Sequence, residues 1–104
     1  MKIISPSELK SWIDSKKDFQ LIDVREHYEY EAANIGAEHI PMGEIMNSLN
    51  KISKTKDVVI HCKSGNRAGA VIQALEANGF SNLYNLDGGI SGWCECIDSS
   101  LEIL

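Results

Sequence analysis

A chain of 104 residues and 11.5 kDa has room for one compact domain, and 43% hydrophobic with 24% charged residues is the ordinary globular balance, which excludes a disordered or fibrous chain. Ten Lys and Arg against fifteen Asp and Glu give a net charge of −5, which argues against a nucleic-acid partner. Three cysteines are too few and too unevenly placed for a secreted disulfide framework and suit a reducing compartment.

The chain opens Met-Lys-Ile-Ile and meets Ser5-Pro6 at once, so no signal-peptide core forms there. No later run approaches the ~18 apolar residues of a membrane span. It therefore reads as a cytoplasmic single domain over residues 1–104, with no membrane partner. Ser5 as N-cap, Pro6 in the first helical position and Glu8 three residues after the cap predict a helix start with a capping box. Leu9, Trp12 and Ile13 then share one face of a short helix that ends in the polar stretch Asp14–Asp18. Phe19–Val24 is apolar and partly β-branched, the pattern of a buried strand, and Arg25–Ala33 is rich in helix formers. His39-Ile40 marks a brief strand. Ile45, Met46, Leu49 and Ile52 predict a helix over Met42–Ile52.

Val58–Cys62 is the strongest strand signal, apolar on both faces as a central parallel strand should be. A helix follows the loop Lys63–Arg67, with Ala68, Val71, Ile72 and Leu75 on one face and Asn78-Gly79 as its stop. Leu83–Leu86 is a further strand, Asp87-Gly88-Gly89 a turn, and a last helix runs through Trp93. The tail Ile97–Leu104 reads as a terminal helix or strand. Alternating strands and helices predict an α/β fold: a parallel sheet joined by right-handed crossovers and covered on both faces.

In such sheets reactive groups collect where strand C-termini hand over to helix N-termini, because unsatisfied backbone N–H groups point there into a crevice. Cys62 stands at such a point. The helix dipole, Lys63, Arg67 and the loop amides all favour negative charge on its sulfur. Gly65 lets the loop curl so that successive amides converge on one place. A lone Cys at the end of an apolar strand is usually a small core residue. The glycine-containing loop and the arginine five positions on mark this one as a reactive, anion-binding cysteine.

His61-Cys62-Lys63-Ser64-Gly65-Asn66-Arg67-Ala68 resembles the active-site loop of the rhodanese family of sulfurtransferases. Leu21-Ile22-Asp23-Val24-Arg25-Glu26 with Tyr28-Glu29-Tyr30 is similar to that family's early signature, and Tyr84–Ile90 with Trp93 to its closing one. The three stand in family order and cover nearly the whole chain. The resemblance implies a rhodanese-like fold with a central five-stranded parallel sheet, and Cys62 as the catalytic sulfur acceptor. It further implies that the Lys63, Ser64, Gly65, Asn66 and Arg67 loop binds substrate, with no metal or cofactor. The partners it implies are a small anionic sulfur donor such as thiosulfate and a thiol or cyanide acceptor. The alternative is a relay module that receives sulfur from a protein partner. Cysteine phosphatases place five residues between Cys and Arg to enclose a phosphate; here four separate Cys62 from Arg67, a pocket better suited to a single sulfur.

Asp23 and Arg25 are expected to brace the same sheet edge, with Arg25 and Glu29 spaced for a helical ion pair. Strand alternation turns His61 to the face opposite Cys62, so it is not expected to act as the general base. Cys94 and Cys96 read as incidental thiols, or else as a resolving pair for Cys62. Where the family usually carries Gly-His-Ile-Pro-Gly-Ala, this chain has Ala33-Asn34-Ile35-Gly36-Ala37. A local loop change away from the reactive loop is expected there.

Overall fold

The computed structural model describes residues 1–104. Five strands, β1 (Lys2–Ile4), β2 (Phe19–Asp23), β3 (Glu38–His39), β4 (Asp57–His61) and β5 (Leu83–Leu86), form one sheet in the order β1-β5-β4-β2-β3. Every neighbouring pair is parallel. The helices are α1 (Pro6–Asp14), α2 (His27–Ala32), α3 (Asn66–Ala77) and α4 (Gly89–Cys96).

Residue alternation along β4 sorts the core into two. Val58, Ile60 and Cys62 point to one side, where Ala68, Val71, Ile72 and Leu75 of α3 cover them. Val59 points to the other, against Leu9 of α1 and Trp93 of α4. Each of these fully buried aliphatic side chains contributes about 1.5–3 kcal/mol by leaving water, which is why the central strand carries apolar residues on both faces. α1 begins as expected: the Ser5 hydroxyl accepts from the Glu8 N–H at 3.1 Å and the Glu8 carboxylate accepts from the Ser5 N–H at 3.3 Å.

Two expectations are corrected, and one strand was not foreseen. Met42–Ile52 is not an α-helix but two 3₁₀ segments, Met42–Asn47 and Leu49–Lys51. The bonds Ser48 N–H to Ile45, Lys51 N–H to Ser48 and Ile52 N–H to Leu49 wind this stretch three residues per turn. Gly43, Asn47 and Ser48 have low helix propensity, and the tighter winding buries Ile45 and Ile52 while Met46 faces solvent. The tail beyond Ile97 forms neither helix nor strand, although Ile97 and Leu101 pack against the α1–α4 layer. The strand β1 escapes the periodicity signal because it is three residues long with one buried side chain.

Candidate active site

Cys62 is the first residue past β4, at the sheet's C-terminal rim, and its side chain is 1% exposed. The chain then turns through Gly65, at φ +112°, into α3. That left-handed turn aims two donors at the thiol: the Gly65 N–H lies 3.1 Å and the Ala68 N–H 3.4 Å from Cys62 Sγ. The amides of Lys63, Ser64, Asn66 and Arg67 donate to no acceptor within the chain. Of the six consecutive N–H groups in this turn, two therefore meet the sulfur and four are left without an intrachain acceptor, free to bind an anion. A cleft of about 220 Å³ runs alongside, lined by Ser64, Gly65 and Asn66 of the loop and by Asn85 and Asp87. A larger cleft of about 380 Å³ opens at the opposite sheet end, beside Gln20 and Lys51, away from the thiol.

The predicted loop residues divide. Lys63, Ser64 and Asn66 are exposed at the rim. Arg67 instead turns to Glu29, its two terminal nitrogens 2.7 and 2.9 Å from the carboxylate oxygens. Glu29 is 6% exposed and also accepts the Glu26 N–H at 3.0 Å, capping α2. The pair therefore ties the start of α3 to α2, and Arg67 braces the loop while its charge is already matched. The expected Arg25–Glu29 pair is not formed, because Arg25 points inward. The Arg67 hydrogen bonds hold the Glu29 carboxyl at about 2, against an ordinary value of 4.5, with the Glu26 amide assisting and burial opposing. The same contact raises Arg67. Since the folded value lies below the unfolded one, this stabilisation is present above about pH 4.5 and lost as pH falls towards 2. Glu29→Gln should remove that part of the acid transition. The unfolding free energy from urea titration should then drop on the order of 1–2 kcal/mol at pH 7, a figure reduced for screening at the part-exposed guanidinium, and converge with the parent near pH 2.

Asp23 and Arg25 are both fully buried. The Arg25 guanidinium meets the Asp23 carboxylate at 2.8, 3.0 and 3.1 Å and donates to the Ala33 carbonyl at 2.7 Å. This bridge holds the Ala33 carbonyl at the start of the Ala33–Ala37 segment, where Ile35 packs in the α1–α4 cluster and Cys62 belongs to the other one. His61 is buried beside them, its Nε2 3.6 Å from the Asp23 carboxylate and its Nδ1 3.2 Å from the Cys62 carbonyl. Burial pushes its pKa down, against the opposing pull of Asp23, so the ring stays neutral and faces away from the thiol.

The sequence did not reveal what underpins the loop from the other side. The N-terminus of α4 reaches beneath it: the Ile90 N–H donates to the Cys62 carbonyl at 2.9 Å and the Ser91 N–H to the Lys63 carbonyl at 3.0 Å. Gly89 makes this approach possible. A β-carbon there would lie 2.5 Å from the Lys63 carbonyl group and 2.6 Å from the Cys62 oxygen, at a φ of +58°. The doubled glycine after β5 was the available signal, legible as a turn but not as a contact. Gly89→Ala should cost about 1–2 kcal/mol for the left-handed backbone and about 1–3 kcal/mol for the backbone clash, read as a lowered denaturation midpoint. It should also slow Cys62 alkylation as the amides lose their aim.

Cys94 is half-buried on α4, its thiol 3.6 Å from the Leu101 carbonyl, and Cys96 is exposed. α4 packs through Trp93 on one face of the sheet and the Cys62 side chain lies on the other. The structure does not bring them together as a resolving pair.

A family model described as a Rhodanese-like domain matches residues 5–96. The chain is 34% identical to the thiosulfate sulfurtransferase GlpE of Coxiella burnetii, over 84% of this chain and 83% of that protein. It is 37% identical to a probable adenylyltransferase/sulfurtransferase, MoeZ of Mycobacterium tuberculosis, over 88% of its own length but spanning only 24% of MoeZ. A crystal structure of a rhodanese-like domain protein from Staphylococcus aureus superposes with a TM-score of 0.85 at 37% identity, covering 100% of this chain and 99% of that one.

Proposed function

Because this chain belongs to the rhodanese-like domain family, we propose that it is a sulfurtransferase working through a persulfide on Cys62. It moves a sulfane sulfur from thiosulfate or a similar donor to cyanide or a thiol. The observation that carries this reading is a single buried sulfur met by the Gly65 and Ala68 amides, in a turn whose Lys63, Ser64, Asn66 and Arg67 amides have no intrachain acceptor. In the first step the Cys62 thiolate attacks the outer sulfur of thiosulfate. A sulfur–sulfur bond forms to Cys62, the bond to the sulfonate breaks, and sulfite leaves with its electron pair. In the second, the acceptor attacks the terminal persulfide sulfur and the Cys62 thiolate is restored. The transferred group carries a negative charge between the steps, and the loop amides stabilise it without moving. The cycle uses no metal and no cofactor.

Lys63, Ser64, Gly65, Asn66 and Arg67 form the substrate-binding loop, with Lys63 meeting the anionic donor at the rim and Arg67 bracing. The four-residue spacing between Cys62 and Arg67, with Arg67 held by Glu29, leaves no free guanidinium for a phosphate ester. A second reading is favoured by the MoeZ relationship, in which a chain of this size corresponds to one quarter of a larger sulfurtransferase: the donor would then be a persulfide on a protein partner, served by the same cradle. No helix is long and apolar enough to cross a membrane, and a thiolate cycle suits the reducing cytoplasm.

Thiocyanate formation from thiosulfate and cyanide, run beside hydrolysis of a generic phosphate monoester, tests the proposal. Thiocyanate release with a gain of one sulfur on Cys62 by mass spectrometry is the expected result. Phosphate release without thiocyanate would overturn it. Sulfur uptake only from a protein persulfide would select the second reading.

A further inference from the structure

We propose that Asn85 is a positioning residue for the sulfur cradle, holding Gly65 in the turn that aims its N–H at Cys62. Asn85 lies within β5, paired in register with Ile60 of β4 on one side and Ile3 of β1 on the other. Its side chain projects beneath the start of α3, close under both Gly65 and Gly69. There Nδ2 donates to the Gly65 carbonyl at 3.1 Å, and the same carbonyl accepts the Gly69 N–H at 2.9 Å. Gly65 is therefore gripped at both ends: its N–H by the Cys62 sulfur at 3.1 Å, its C=O by Asn85 and the first turn of α3.

Gly65 needs the grip more than another residue would. At φ +112° and ψ −16° it occupies a conformation that glycine enters and leaves freely, so nothing intrinsic keeps its amide pointed at the sulfur. The neighbouring Ser64 and Asn66 are exposed and supply no packing. A side-chain donor rooted in a central strand supplies what the loop lacks, in the manner of an outer ligand that orients an inner one.

The chemistry of the site also shows that Asn85 is a poor choice for stability alone. Its Oδ1 is buried and has no hydrogen-bond partner, and an unpaired buried carbonyl carries a desolvation penalty. Leucine has nearly the same shape, and the surroundings include the apolar Met1 and Ile3 side chains. An apolar residue would suit the sheet at least as well. Apart from a long contact of Nδ2 with the Met1 thioether sulfur at 3.7 Å, a weak acceptor, the bond to Gly65 is what the amide supplies.

The inference rests on Cys62 as the sulfur-carrying residue, so the decisive measurement is one that does not depend on sulfur chemistry. Asn85→Leu and Asn85→Asp are compared with the parent by urea unfolding, by amide hydrogen exchange of Gly65 in ¹H–¹⁵N spectra, and by single-turnover loading of Cys62 from thiosulfate. In Asn85→Leu the unfolding midpoint is expected to hold or rise. Gly65 N–H exchange should quicken about tenfold, the equivalent of one ordinary hydrogen bond, and loading should slow by a similar factor. Asn85→Asp replaces the donor with an acceptor facing a carbonyl and should show the larger change at Gly65, which serves if the leucine variant fails to fold. Unchanged Gly65 exchange in the folded variants overturns the proposal, whatever happens to loading. If the parent chain takes up no sulfur at all, the proposed function falls, while faster Gly65 exchange would still show Asn85 holding the loop.

Discussion

Cys62→Ser is expected to abolish sulfur transfer while leaving the fold in place. The hydroxyl has nearly the volume of the thiol and can accept from the Gly65 and Ala68 amides that now meet Sγ at 3.1 and 3.4 Å, so the loop keeps its partners. What is lost is the ability to store the group: an alkoxide is not available near neutrality, and an oxygen–sulfur adduct has no counterpart to the stable persulfide. Thiocyanate formation should fall by a factor on the order of 10³ or more, about 4 kcal/mol of barrier at 1.36 kcal/mol per tenfold. Mass spectrometry should find no sulfur gained after thiosulfate treatment, while the urea midpoint stays near the parent's. Retained turnover in this variant would remove Cys62 from the chemistry and point to Cys94 or Cys96.

The largest stability effect should come from Arg25→Met. Arg25 is wholly buried, and its partners are an equally buried Asp23 carboxylate and the Ala33 carbonyl. Methionine fills much of the space but leaves a carboxylate in the core facing no cation, with only the backbone N–H of residue 25 at 3.0 Å and the His61 ring at 3.6 Å as polar neighbours. Breaking a buried pair from one side costs about 3–5 kcal/mol, a large share of the stability of a domain this small. Chemical denaturation at pH 7 is the measurement, and the double variant Asp23→Leu/Arg25→Met should recover much of the loss, since it removes the stranded charge as well. A double variant no better than the single one would mean that the bridge acts through the Ala33 carbonyl rather than through the ion pair.

How far these features could be read from the sequence follows from their range. The α1 capping box, the apolar stripe of α3 and the two-sided hydrophobicity of Val58–Ile60 are local patterns, and each appears in the structure where the residues place it. Cys62 was legible as a reactive candidate because strand, glycine loop, arginine and helix are contiguous. The partners that give the loop its shape are not contiguous. Glu29 meets Arg67 across 38 positions and Asn85 meets Gly65 across 20; nothing in a helical or strand period predicts such pairings. The same limit produced the wrong pairing for Arg25. A spacing of four suggested Glu29, whereas burial of Asp23 two residues away decided the matter. Met42–Ile52 misled for another reason: apolar residues at three- and four-residue intervals serve α and 3₁₀ winding alike, and weak helix formers at Gly43, Asn47 and Ser48 tipped the choice.

The clamp between Arg67 and Glu29 also governs how the molecule meets a charged reactant at a distance. With that guanidinium paired, Lys63 at the rim is the loop's one unpaired charge, and the rest of what faces an incoming dianion is a set of peptide dipoles, which have neither net charge nor a titrating proton and act only over a few ångströms. Beyond that range the reactant sees a body of charge −5. Encounter with thiosulfate should therefore be mildly repulsive, and added inert salt, by shortening the Debye length from ~10 Å at 0.1 M towards ~3 Å at 1 M, should hasten the first step. An enzyme that steers anions with exposed arginines would slow under the same treatment.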